Sequence, residues 1–237
     1  HPQQSLFNRL WGTGFMPSDH QGVLFRAAEN PVLYLKNPAG ISRSDRRSQL
    51  DALSVLNQNH YQDFADPEVL SRIKQHEMAY RMQTSVPKLT DFSKESEKTL
   101  AMYGPQVREP GTFAYNCLMA RRLVERGTRF VQVMHAGWDQ HRSITTELYN
   151  QCRDTDQPSA ALVRDLKQRG LLEDTIVIWG GEFGRTPMAQ GGDGRDHNPY
   201  GFTMWMAGGG VKGGTIYGAT DTFGFKAEKD IVPVNDL

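Results

Sequence analysis

Cysteine is scarce: Cys117 and Cys152 are the only two in the chain. Two cysteines can pair with each other, but they form neither a disulfide framework nor a thiolate metal motif. Charge of one sign is also missing, because 27 basic residues balance 27 acidic ones. That balance gives no footprint of a nucleic-acid or membrane-surface partner. No apolar run is long enough to span a bilayer, and no signal peptide opens the chain. Hydrophobic content is 38%, low for a globular domain. The motifs that announce common chemistries are absent too. There is no Gly-x-Ser-x-Gly elbow, no phosphate-binding Walker loop and no dinucleotide fingerprint. No internal repeat occurs, and Gly191-Gly-Asp-Gly-Arg-Asp, which faintly resembles a calcium-binding nonapeptide, appears once. It reads as a flexible loop. The chain opens on His1 without a Met and ends at Asn235-Asp236-Leu237, so it reads as a piece of a longer protein. On that reading, a missing signal carries no information about location.

What is present concentrates after residue 110. Thr175 to Trp179 is a short, β-branched apolar run bounded by glycines, which predicts a buried strand. Glu182, Arg185, Asp196 and His197 follow it. Arg129 to Met134 has the same texture and runs into His135-Ala-Gly-Trp-Asp-Gln-His141. The spacing predicts helices over 112–126, around 145–151 and over 159–169, stopped by Gly127 and Gly170. Helix–strand alternation of this kind predicts a parallel sheet with right-handed crossovers. Residues 202–206 predict a third buried strand, and 213–218 a short edge strand. In such a sheet, loops leaving the carboxyl ends of the strands share one crevice. His135, Asp139, His141, Glu182 and His197 would then converge.

Residues 1–110 predict an irregular and helical insertion region within one α/β domain. Trp11 to Pro17 is turn-rich, and residues 32–35 predict a short strand. Arg43 to Asn59 predicts a surface helix with Leu50, Leu53 and Leu56 on one side. Asp66 and Pro67 are a strong helix start, as N-cap and first-turn residue, for a helix to about Gln83 in which Ile73, Met78 and Met82 pack. Residues 84–111, with prolines at 87, 105 and 110, predict a loop carrying a short helix. His20 and His60 read as solvated.

Imidazoles and carboxylates on strand-end loops are typical ligands for divalent metals. Asp139 and His141 are two apart, so an extended backbone points both the same way. The other reading of the same residues is a polar network that rigidifies the loops. Arg185 suits an anionic ester oxygen through its planar donor fork, and suits an ordinary ion pair equally well.

Four segments resemble the domain of unknown function 1501 family: Gly-Trp-Asp-Gln-His ending at His141, Gly-Gly-Glu-Phe-Gly-Arg-Thr-Pro ending at Pro187, Gly-Arg-Asp-His-Asn-Pro ending at Pro199, and the glycine-rich run from Trp205 to Gly214. Met82 to Pro87 and Gln157 to Leu162 extend the resemblance over nearly the whole chain. These are bacterial proteins, abundant in planctomycetes, and similar to the alkaline phosphatase and sulfatase superfamily. The resemblance implies a truncated fold of that type: a mostly parallel sheet flanked by helices, with metals at the strand ends. It implies a metal-dependent hydrolase of sulfate or phosphate esters, with a small-molecule or glycan ester as substrate and a periplasmic or secreted location. Asp139, His141 and His197 would hold one metal and Glu182 a second, the ion being zinc, manganese or calcium. Arg185 would orient the anion, and His135 would donate a proton or support the ligands. The departures are Phe183, where many superfamily members carry histidine, a short Asp-x-His spacing, and no Gly-Gly-Pro-Ser-like turn to supply a nucleophile. The alternative is a non-catalytic surface module, glycan-binding, with a structural metal.

Overall fold

A computed structural model describes residues 12–17, 20–26, 28, 30–33 and 35–237. The chain divides into two compact units, His1–Lys94 and Glu95–Leu237. Trp11 and Tyr34, which belong to two of the sequence expectations, lie outside the described residues. Val32 and Leu33 lie in a bend and a turn, not in a strand.

The first unit is a helical hairpin. Helix α1 (Arg43–Phe64) begins at a reciprocal capping box between Ser42 and Asp45. Helix α2 (Pro67–Thr90) begins with Asp66 accepting from the Glu68 N–H and Pro67 at its first position. It runs through Pro87, where a loop was expected, at the loss of one main-chain hydrogen bond. Asp91 is the C-cap, its N–H donating to the Pro87 carbonyl. Arg47 joins the two helices through a fork to Glu77. Leu50 is the only buried residue of α1; Leu53, Leu56 and, on α2, Met78 are exposed.

In the second unit, α3 (Glu97–Tyr103) and a 3-10 turn (Pro105–Arg108) precede α4 (Phe113–Glu125) and α5 (Ile144–Gln168). Thr112 caps α4. At both long helices a glycine with positive φ follows the C-cap, Gly127 at 86° and Gly170 at 71°. The residues beyond them, Thr128 and Leu171, donate back to Leu123 and Leu166. That is the Schellman closure glycine permits. Pro158 does not split the second helical region; α5 passes through it as one helix. The core lies where α4 meets α3 and α5, around Tyr103, Cys117, Leu118 and Leu166. Both cysteines are free thiols.

The strands correct the expected architecture. There are three two-stranded antiparallel sheets among the described residues and no parallel one. Strand β1 (Ile176–Trp179) pairs with β4 (Trp205–Gly208), β2 (Gly184–Gln190) with β3 (Gly194–Asn198), and β5 (Ala219–Thr220) with β6 (Ala227–Lys229). Residues 129–134 are not a strand and have no ladder partner. Without that partner there is no crossover, and β1 pairs instead with a strand that returns after the β2–β3 hairpin. Nor is β1 buried: Ile176 and Ile178 are 53% and 51% exposed. The edge strand expected over 213–218 lies further on, at β5. An apolar β-branched run marks an extended backbone but does not choose its partner or its burial.

Candidate metal centre

The β2–β3 hairpin builds the site. Arg185 and His197 are directly opposite in its register, so their side chains share one face. The segment carrying Asp139 and His141 is stitched to the same hairpin. The Arg195 N–H donates to the Gln140 carbonyl at 2.9 Å, and the Ser143 N–H to the Asp193 carboxylate at 2.7 Å. Gly194 is required at the crossing, because a Cβ there would overlap the His141 carbonyl.

Three side chains meet on that face. Asp139 Oδ1 lies 2.9 Å from His197 Nε2 and 3.0 Å from His141 Nε2, and the two Nε2 atoms are 3.1 Å apart. Together they form a group that can hold a metal ion. Atoms this close share a point within the ~2.0–2.2 Å bond length of zinc to nitrogen and carboxylate oxygen. The tautomer fits as well. His141 Nδ1 bonds Gln190 Oε1, which can only accept. That contact puts a proton on Nδ1, which in the neutral imidazole leaves the Nε2 lone pair for the cluster.

Arg185 Nη2 donates to Asp139 Oδ1 and to the Trp138 carbonyl, each at 2.8 Å. The His197 hydrogen bond and then the Arg185 guanidinium hold the Asp139 carboxyl well below its ordinary range, at about 2. Phe183 lies against His197 with ring centroids 4.3 Å apart and forms a ring wall beside the cluster. Glu182 is exposed in the bend between β1 and β2 and is not part of the cluster. His135 is not part of it either. Its Nδ1 accepts from the Trp138 indole N–H at 2.9 Å, and its ring sits edge-on to Phe113. Burial pushes the imidazole pKa down from its usual value, in keeping with a neutral ring that accepts.

The structure thus brings together Asp139, His141, His197 and Arg185 and leaves Glu182 and His135 outside the cluster. The convergence does not come from parallel strand ends but from one antiparallel hairpin and a segment laced along it. Sequence reading missed Gln190, which orients His141. Nothing in the sequence marks it, since its role depends on a contact 49 residues away in the chain.

Two partly exposed imidazoles and one carboxylate, His197 on the β2–β3 hairpin with Asp139 and His141 on the segment laced along it, define the class: a protein with an open candidate metal site. The family is narrower. The model of the protein of unknown function family DUF1501 matches residues 1–237, and the chain belongs to that family. No curated protein and no solved structure matches it. No helix among the described residues is long and apolar enough to cross a membrane.

Proposed function

We propose that this chain binds one divalent cation through Asp139, His141 and His197 and that the family hydrolyses sulfate or phosphate esters. The observation that carries the reading is the openness of the site. The three side chains are 38–65% exposed, whereas a structural zinc site closes around four protein ligands. Three ligands leave room for water and substrate. Two imidazole nitrogens suit zinc or manganese and argue against calcium, which takes six to eight oxygens. A bound cation would polarise the ester oxygen and offset charge on the attacking and leaving oxygens. Gln190 would keep the His141 lone pair aimed at the ion. Arg185 would release Asp139 to the cation and turn its donors to the ester anion. Glu182 has no part in this one-ion proposal. The family resemblance would place the protein in the periplasm or outside the cell.

The test is calorimetric titration of the chelator-stripped chain with zinc and manganese, beside hydrolysis of aryl sulfates and aryl phosphates. One site per chain is expected, lost in His197→Ala, with hydrolysis following metal occupancy. Equal metal binding by wild type and His197→Ala would sink the proposal. The second reading, a non-catalytic module with a structural metal, is favoured by the committed Arg185–Asp139 pair. Metal binding without turnover of any ester selects it.

A further inference from the structure

Asp139 and His141 lie on the segment that leads into α5, and His197 lies on β3. Whatever fixes one piece of chain against the other therefore fixes the spacing of the cluster. Three contacts act there. The Arg195 N–H reaches the Gln140 carbonyl. Gly194 is buried against the His141 carbonyl, with no room for a Cβ. The third is Asp193, in the turn between β2 and β3. Its Oδ1 accepts the Ser143 N–H at 2.7 Å, and its carbonyl accepts the Ile144 N–H at 3.4 Å.

The start of α5 depends on that third contact. Each of α1, α2, α3 and α4 is capped by the side chain of its own N-cap residue: Ser42, Asp66, Ser96 and Thr112. Ser143 holds that place in α5 but makes no side-chain cap bond, and its backbone is left-handed, with φ 54° and ψ 33°. A helix start leaves four N–H groups without partners inside the helix. Ser143 and Ile144 carry two of them, and both go to Asp193. The carboxylate also meets the positive end of the helix dipole. A left-handed backbone costs an L-residue energy, so the turn at Ser143 relaxes once Asp193 lets go, and His141 is two residues away. We propose that Asp193 is a positioning residue of the metal cluster: by capping α5 from the hairpin tip, it holds the His141 imidazole against His197 and Gln190. The proposal rests on the one-ion reading for the ligand alone, because the placing of the imidazoles belongs to the metal-free chain.

Two readouts on the full chain separate this role from helix stability. The first uses the chelator-stripped protein at about pH 8.5, above the usual imidazole pKa. Long-range nitrogen–proton NMR then reports which His141 nitrogen carries the proton. Wild type should show the Nδ1–H form and Asp193→Ala a mixture. Asp193→Asn, whose amide oxygen still accepts from Ser143, should restore the wild-type form. The second readout is zinc calorimetry. One site is expected in all three proteins, about tenfold or more weaker in Asp193→Ala. Asn caps a helix about as well as Asp, so Asp193→Asn should lie within about threefold of wild type. Gly170→Ala is the control. It strains the far end of α5, where φ is 71° and an added Cβ meets no atom within 4 Å. It should lower the urea midpoint and leave the tautomer and the zinc affinity as they are. A His141 tautomer unchanged in Asp193→Ala overturns the proposal, as does a failure of Asp193→Asn to restore it. An equal loss of zinc affinity in Gly170→Ala would reduce Asp193 to a helix cap and overturn it too. If wild type takes up no zinc, the one-ion reading falls, and the tautomer alone decides the role of Asp193.

Discussion

Asp139 Oδ1 is the most heavily engaged acceptor of the site, within 3.0 Å of His197, His141 and Arg185. Its folded pKa of about 2 lies below the unfolded value of about 3.9. A depressed carboxylate contributes stability that is fully present above about pH 4 and lost as pH falls through about 2. Asp139 is 65% exposed, so solvent screening leaves less than about 1 kcal/mol of this. The shift itself is open to measurement. Carbon-detected NMR titration of the metal-free protein should place the Asp139 carboxyl near 2, and Arg185→Ala should raise it. A midpoint near 4 in the wild type would mean that the cluster does not form in solution. Gln190 acts one step further out. Gln190→Ala frees the His141 tautomer, and zinc affinity should fall by about tenfold with stoichiometry unchanged.

At the scale of elements, α4 and α5 are joined by ions as much as by apolar packing. The Arg121 side chain is 1% exposed and lies 2.6 Å from Glu95, 2.8 Å from Asp165 and 2.8 Å from Glu125. Tyr103 donates its hydroxyl to Asp165 at 3.0 Å. Burial, and then the Asp165 carboxylate, pushes the phenol pKa up. Arg121→Ala removes the buried cation that Glu95 and Asp165 share, leaving Glu95 with Arg122 and Asp165 with Arg169. The expected cost is about 3–5 kcal/mol, read as a lower urea midpoint; a change under about 1 kcal/mol would show that water or Arg169 replaces the guanidinium. The helix signals around this network were legible because they are local. Thr112, Gly127 and Gly170 act on groups within a few residues of themselves. Pro87 and Pro158 misled for the opposite reason. Each costs a helix roughly 3 kcal/mol, a local penalty that distant packing offsets. Strand pairing is wholly non-local, so the texture of 129–134 and 175–179 said nothing true about a parallel sheet. The residues of the site were nameable all the same, since Asp139, His141 and His197 sit in short polar motifs. Their scaffold was not.

For the whole molecule, the two units differ in how much they bury. Among the described residues the first holds five buried apolar side chains, Leu50, Val69, Val86, Leu89 and Phe92, and only Leu50 comes from α1. In the second, α4 alone buries Ala114, Cys117, Leu118, Met119 and Ala120. Cys117 is enclosed deeply enough that burial pushes its thiol up to about 12. A helix with one buried residue opens locally at small cost, whatever its caps contribute. Hydrogen exchange by mass spectrometry should therefore find α1 amides at least about a hundredfold less protected than those of α4. Equal protection would mean that α1 gains burial the described contacts do not include. Zinc adds a second readout to the same experiment. A cation held by Asp139, His141 and His197 must tie residues 135–143 to the β2–β3 hairpin, so protection should rise over 135–143 and 184–198 and stay unchanged in α1. A rise in α1 of the same size would make the effect global, and the assignment of the cation to this cluster would fail.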